Sequence, residues 1–309
     1  MRGVSSHGAQ YISMSLEKLK AVTGTRPLFC LEVNPPRGVS LEASLSRLEG
    51  QLEGVDFLNV TDSALARMRM ASIPFAAIIK QRLGVEPLVN LSCRDRNVLA
   101  LQADLLAGWA SGVRSIVALT GDAMTVGDNP DRKGVFEVNS IGLLDIFRTL
   151  GAGTDLAGNR LDGAPQFVAG VVVNPNVKNQ AAELRRLEKK KNAGASYALS
   201  QPVFDAAHAL PFFAQVQAMG MPCFAGLMPW KTAKVGLGLS NVPGIKLPQA
   251  LESQLLADDP QADWSQKSVD HCLLLAQALR KVVIGFHVIG GASPKLGIQL
   301  ARNLVGLSW

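Results

Sequence analysis

The sequence predicts an α/β protein built as a single-domain (β/α)8 barrel, and three observations carry that prediction. Eight short apolar runs recur along the 309 residues with helical segments between them. Each run ends in a loop of polar, Gly or Pro residues, as a strand covered on both faces does where it surfaces. No G-x-G-x-x-G motif follows a strand: Gly236-Leu237-Gly238 stands apart from any, so an open dinucleotide-binding sheet is unsupported. Count and alternation together favour a closed barrel over residues 26–309, preceded by an arm and a short helix over 1–25.

Taken in order, the arm holds an amphipathic stretch from Ser15 to Val22. Strand 1, Leu28 to Val33, runs into Asn34-Pro35-Pro36, and Ser40 is placed to cap a helix reaching about Leu52. Strand 2, Phe57 to Val60, ends in Thr61-Asp62-Ser63, and a helix follows as far as Leu83. Strand 3, Leu88 to Cys93, ends in Arg94-Asp95-Arg96 ahead of a helix from Asn97 to Ser111. Strand 4 is Ser-Ile-Val-Ala-Leu-Thr-Gly-Asp, Ser115 to Asp122, and a long turn-rich loop runs from Ala123 to Gly134. Loops of that length inside a compact domain are usually functional. A helix from Asn139 to Leu150 and a polar excursion to Pro165 lead to strand 5, Phe167 to Val173. A basic helix, about Asn179 to Ala193, closes at Gly194. Strand 6 is Tyr197 to Leu199, followed by Ser200-Gln201-Pro202 and a helix from Asp205 to Met219. Strand 7 is Cys223 to Leu227; helices over Lys231–Gly238, Pro248–Leu256 and Trp264–Lys281 separate it from strand 8, Val283 to Val288. The last helix starts at Pro294 behind Ser293.

Composition narrows the function classes. Hydrophobic residues are 48% and charged residues 18%, which suits a globular chain with a large core. No apolar run approaches the ~18 residues of a membrane helix, and Met1 to Gln10 contain no signal-peptide core, so a cytoplasmic protein with no membrane association is expected. Cys30, Cys93, Cys223 and Cys272 lie far apart, as buried reduced thiols do, and no metal-ligand spacing occurs. The net charge of +6 is densest at Arg185, Arg186, Lys189, Lys190 and Lys191, in helical rhythm with Leu184 and Leu187. That reads as a solvated helix face, and without interleaved aromatics it gives no reason to expect nucleic acid as a partner.

Carboxylates at strand ends are the residues to examine for chemistry, because ligands bind there in parallel α/β folds. Glu32 shares a strand face with Leu28 and Cys30 by the period of two. A carboxyl partly desolvated at a barrel rim has a raised pKa and suits a general acid; the plainer alternative is a structural ion pair. Asp122 is the second carboxylate, with a turn or cap residue as its plain reading. Gln201 can donate and accept without moving protons, which suits it to orient a heterocycle. His287, alone in an apolar strand, reads as a satisfied core residue.

Leu31-Glu32-Val33-Asn34-Pro35-Pro36, Asn59-Val60-Thr61-Asp62, Ala118-Leu119-Thr120-Gly121-Asp122, Asn192-Ala193-Gly194-Ala195 and Ser200-Gln201-Pro202-Val203-Phe204-Asp205 follow one another in that order. Over roughly residues 26–300 the chain resembles methylenetetrahydrofolate reductases, flavoprotein barrels that reduce 5,10-methylenetetrahydrofolate to 5-methyltetrahydrofolate. The stretch from Gly127 to Leu144 resembles a branch in which this domain also occurs fused to a homocysteine methyltransferase, a segment not found here. The resemblance implies FAD, or FMN in its place, with NADH or NADPH as electron donor and hydride passing through flavin N5 to the methylene carbon. It implies Glu32 as the general acid that opens the substrate's five-membered ring. Asp122 would lie near flavin and pterin, and Gln201 would contact folate and nicotinamide in turn. Thr61, Asn90, Thr120, Gly121, Asp122, Asn139, Asn174, Lys178, Glu183 and Lys190 fall at flavin-contact positions, which gives the basic helix a second reading as a neighbour of the flavin phosphates.

The chain departs from better-known members at several of these places. Asn90 stands for a histidine, Thr120 for an arginine and Asn174 for an aromatic residue. Ser293 stands for an arginine that helps hold folate, with Lys295 close by as a substrate-binding candidate. Leu239 lies about where some members stack an aromatic on nicotinamide, so an electron-transfer protein partner is the alternative donor. A non-catalytic folate- or flavin-binding subunit is a further alternative, against which the intact Glu32, Asp122 and Gln201 argue. A homo-oligomer is left open.

Overall fold

The computed structural model describes residues 26–291 and 293–309. The expected arm and its Ser15–Val22 helix lie outside the described residues. Eight parallel strands close in sequence order: β1 (Leu28–Val33), β2 (Phe57–Val60), β3 (Glu86–Ser92), β4 (Ser115–Leu119), β5 (Val168–Val173), β6 (Tyr197–Pro202), β7 (Cys223–Leu227) and β8 (Gly285–Val288). Around them lie α1 (Glu42–Leu45), α2 (Ser72–Leu83), α3 (Val98–Ala110), α4 (Ser140–Gly151), α5 (Gln180–Asn192) and α6 (Ala206–Ala218). After β7 come α7 (Ala233–Gly238), α8 (Gln249–Ala257) and α9 (Ser265–Leu279), and α10 (Pro294–Val305) follows β8. The barrel class expected from the alternation is the class observed.

Register fixes which side chains meet inside the barrel. Pairing runs Glu32–Asn59–Leu88–Ser115–Val168, from near the end of β1 to the first residue of β5. That stagger tilts the strands, so inward residues stack in layers drawn from alternate strands. Phe57, Ser115, Tyr197 and Gly285 form a deep layer, in which Ser115 Oγ and Tyr197 Oη lie 2.9 Å apart. Cys30, Leu88, Gly170 and Phe224 lie above it, and a Cβ on Gly170 would meet the Tyr197 ring 2.4 Å away, so only glycine fits there. The next layer is Asn59, Val117, Leu199 and His287; above it come Glu32, Asn90, Val172 and Gly226, at the mouth. Apart from the Ser115–Tyr197 hydroxyl pair the two deepest layers are apolar, and polar side chains gather toward the mouth. Outward residues such as Phe29, Leu31, Leu58, Val60 and Phe286 pack under the helices in the main core.

Two expected elements differ. The first helix is one turn, Glu42–Leu45, and Ser40 does not cap it; Leu41 occupies that place without a side-chain bond. Beyond it, Leu48 N–H donates to Leu45 O and Gln51 N–H to Leu48 O, tighter turns that let both Leu45 and Leu48 bury. Strand 6 is longer than its apolar core suggests and extends through Gln201 to Pro202. All four cysteines are free and buried. Among the described residues no helix is long and apolar enough to cross a membrane.

Candidate active site

Glu32 is the penultimate residue of β1, and its carboxyl faces the lumen at the mouth. Burial there disfavours the charged form and pushes it up to about 7. Glu32 also borders a cavity of about 450 Å³ at the end of β1, lined with it by Leu31, Val33, Asn34, Arg37, Arg47, Arg69 and Gly290, on the side of the strand that faces α10. A larger hollow of about 640 Å³ sits at the other end of the barrel, among Arg26, Cys223, Ile284 and Trp309. That end carries the strand starts rather than their polar carboxyl ends.

Asp122 follows β4 through Thr120-Gly121. Gly121 has φ of +101°, and a Cβ there would lie 2.3 Å from Ser92 Oγ, so this turn requires glycine. Asp122 Oδ2 accepts the Leu65 N–H at 2.7 Å. Leu65 belongs to a turn after β2 in which Ser63, Leu65 and Ala66 are left-handed, with φ of 46°, 55° and 52°. Non-glycine residues hold that conformation only where neighbours impose it. The long loop after β4 supplies more such contacts: Asp128 Oδ2 accepts Met68 N–H at 2.9 Å and Arg37 Nη2 at 2.8 Å. Loops one, two and four are thereby clasped together beside the mouth. Arg94 lies beneath them, 2% exposed. Burial works against its charge, and Asp95, Asp62 and Asp122 outweigh that cost.

Gln201 sits on a bulge. The β6–β7 register slips between Leu199 and Pro202, and Ser200 Oγ fills the gap, accepting Gly226 N–H and donating to Gln201 O, both at 2.8 Å. The extra residue re-aims the strand end, and Gln201 lies half-buried beside Gly244 and Asn174.

The remaining expected positions divide by place. Thr61 Oγ1 donates to Asn34 Oδ1 at 2.8 Å, and Asn90 Oδ1 accepts from Asn59 Nδ2 at 2.8 Å, both at the mouth. Asn174 ends β5, its Oδ1 accepting Asn176 N–H at 2.9 Å. Thr120 and Asn139 meet at the start of α4: Thr120 Oγ1 accepts Ser140 N–H, and Asn139 caps the helix through Ile141 and Gly142 N–H. Lys178 is exposed on the loop before α5. Glu183 and Lys190 face the strands from α5, where Glu183 Oε1 accepts Asn174 N–H at 3.0 Å and Lys190 Nζ donates to Val172 O at 2.7 Å. Lys189, Lys190 and Lys191 fall in the last turn of α5, the end of the helix remote from the mouth. Lys295 is exposed and borders a separate hollow with Arg47 and Arg302.

The structure thus gathers Glu32, Thr61, Asn90, Gly121, Asp122, Asn174 and Gln201 at the strand ends. It corrects the reading of His287, which is buried but not satisfied: neither ring nitrogen has a partner. Its neighbours across the sheet, Cys30 and Gly226, offer no strong acceptor or donor in their side chains. Asn59, passed over inside an apolar strand, proves to share its layer. The period of two marks Phe57, Asn59 and Thr61 as one face, a signal for Asn59 that was there to read. Nothing local announces Arg94 or Ser200, whose roles depend on other strands.

The arrangement offers a proton donor poised near neutrality, a second carboxylate, amides suited to a heterocycle, and arginines suited to an anion. The family model for methylenetetrahydrofolate reductase matches residues 18–296. A 5,10-methylenetetrahydrofolate reductase of Pectobacterium carotovorum subsp. carotovorum is 27% identical over 236 residues, covering 74% of each chain. The enzyme of that name from Escherichia coli K12 is 26% identical over 221 residues, covering 70% of this chain and 69% of its own. Among solved structures, an uncharacterized protein from Clostridium thermocellum, which binds two copies of 5-methyl-5,6,7,8-tetrahydrofolic acid, superposes with a TM-score of 0.65. At 16% identity over 93% of this chain and 98% of that one, the likeness is one of fold. Fold, ordered strand-end motifs and a family match across most of the sequence agree: the chain belongs to the methylenetetrahydrofolate reductase family.

Proposed function

We propose that the protein reduces 5,10-methylenetetrahydrofolate to 5-methyltetrahydrofolate, with Glu32 as the general acid. The observation that carries this reading is the Glu32 carboxyl itself, set in the lumen wall at the mouth and raised to about 7 by burial. Opening the substrate's imidazolidine ring breaks a carbon–nitrogen bond and needs a proton on the departing nitrogen; a hydride then completes the methyl group. A carboxyl that keeps its proton near neutrality can supply the first of these. Asp122, whose Oδ2 is held by Leu65 N–H, would face the charge that develops on the ring-opened substrate. Arg37, Arg47 and Arg69, which line the cavity that Glu32 borders, suit the dicarboxylate tail of a tetrahydrofolate.

The mouth also suits a flavin. Leu119 and Val172 are half-buried apolar residues at the top of the lumen, and Asn90, Asn174 and Gln201 set amides around them. Such a mixture fits a flat heteroaromatic ring with polar edges. These residues with Thr61 and Gly121 would hold FAD, or FMN in its place, and Thr120, Asn139 and Lys178 would meet its outer part. Flavin, when bound, supplies the two-electron chemistry; the barrel supplies position and electrostatics. The test is the visible spectrum of the purified protein, with methyltetrahydrofolate formation assayed beside it. Flavin bands and product are the expected result. A colourless protein that takes up neither FAD nor FMN overturns the reading.

One observation favours a second donor. Leu239, at the place of a nicotinamide-stacking aromatic, is 6% exposed and packs with Trp230, Leu251 and Trp264 in a cluster beside β7. A side chain so occupied offers nothing for nicotinamide to stack on, which supports a protein electron donor in place of NADH or NADPH.

A further inference from the structure

The mouth of the barrel has a polar floor that the proton transfer proposed above leaves unused. Directly beneath Glu32, the strands on either side of β1 contribute Asn59 and His287 to one layer. His287 is 5% exposed and Asn59 is 1% exposed. Neither nitrogen of His287 has a hydrogen-bond partner, nor does Asn59 Oδ1. The Asn59 amide cannot be turned round to cure this, because Nδ2 donates to the Leu88 carbonyl at 3.0 Å, and a carbonyl only accepts. Buried polar atoms almost always find partners, so three orphans in one layer, on the strands flanking Glu32, point to an interaction with its carboxyl at the mouth.

We propose that His287 is a positioning residue for Glu32: with Asn59 it forms a polar floor that hydrogen-bonds the Glu32 carboxyl through one buried water and aims its proton-bearing oxygen out of the mouth. The proposal rests on the reading of Glu32 as proton donor. The chemistry of the floor suits the task. A neutral imidazole has one donor and one acceptor, so through that water it can receive the acid's O–H and, as the other tautomer, donate to the carboxylate left behind. Burial lowers His287 to about 4, so it does not compete for the proton. The other titratable groups facing the described lumen do not intervene. Burial raises both the Cys30 thiol and the Tyr197 phenol, which stay neutral, and Glu86 is paired with Lys80 at the opposite end. β7 presents Gly226 to His287, which carries no charge.

Hydrogen bonds to an ionised group are about twice as strong as neutral ones. Removing the imidazole therefore harms the Glu32 carboxylate more than its acid form, and its pKa rises, by about one unit on ordinary magnitudes. Infrared difference spectroscopy of the purified protein reads this without turnover, through the carbonyl band of a protonated buried carboxyl. The band is assigned by its loss in Glu32→Gln. In the wild type it should titrate with a midpoint of about 7. In His287→Phe the midpoint should move up by about one unit, and in His287→Gln, which keeps a donor, it should return most of the way. His287→Ala makes the same prediction as His287→Phe if the bulkier ring prevents folding. A band present but unmoved by loss of the imidazole overturns the proposal. A wild type with no such band overturns the proton-donor reading, and the proposal with it.

Discussion

Glu32 has an ordinary carboxyl in an unusual place, and the consequences for pH follow from its position. As a proton donor it must be protonated, so substrate reduction should hold on the acid side and fall as pH rises through about 7. Stability runs the same way. Below about pH 4.5 Glu32 is protonated in folded and unfolded chains alike, and its burial carries no charge penalty. Between there and about 7 the unfolded chain ionises first, and above about 7 the folded barrel must hold a desolvated carboxylate. Glu32→Gln should therefore stabilise the protein at pH 8 by about 1–3 kcal/mol and lose that advantage near pH 4, as paired thermal melts would show. Asp122→Asn separates the second carboxylate's roles. Asparagine keeps an acceptor for Leu65 N–H, so stability should change by less than about 1 kcal/mol while folate binding weakens and the flavin potential rises. Unfolding curves beside a folate titration would expose any other pattern. Glu32 was legible from the sequence because a strand's period of two places it with Leu28 and Cys30. The orphaned atoms of Asn59 and His287 were not, since satisfaction depends on what the flanking strands present.

At the scale of elements, strand cores were easier to read than their ends. β1, β2 and β7 follow directly from apolar runs, whereas β6 continues through Gln201 because a hydroxyl mends its ladder. No propensity marks that bulge; it exists through Gly226 on the next strand. Ser200→Ala removes the bridge and deprives a buried N–H and a half-buried carbonyl of this partner. The loss should be about 1–3 kcal/mol in urea unfolding, with weaker folate binding as Gln201 loosens. An unchanged midpoint would mean that the bulge is held by other contacts. The first helix shows the opposite error: Ser40 and the leucines that follow look helical, but burying both Leu45 and Leu48 favours tight turns. The loop after β4 was flagged by its length alone, and its partner, the left-handed turn at Ser63–Ala66, lies sixty residues away in sequence and escapes any local reading.

Across the whole molecule, topology brings residues from the ends of β1 to β6 to one rim, where four of the five short, scattered motifs meet; the fifth, Asn192-Ala193-Gly194-Ala195, turns from α5 into β6 at the opposite end. The donor question also belongs at this scale, because it turns on the cluster built after β7 from α7, α8 and the start of α9. With Leu239 buried in that cluster, NADH and NADPH should bleach the flavin slowly, and an artificial reductant should restore turnover. Rapid anaerobic bleaching by either nucleotide would remove the protein-donor reading. The central claim, that Glu32 delivers the proton, is tested most directly by stopped flow on Glu32→Gln with the two half-reactions followed apart. Substrate reduction should fall by about 10²–10⁴-fold, while flavin content and flavin bleaching by a competent donor barely change. Equal loss in both half-reactions, or none in either, would contradict it and leave Glu32 a structural member of the barrel mouth.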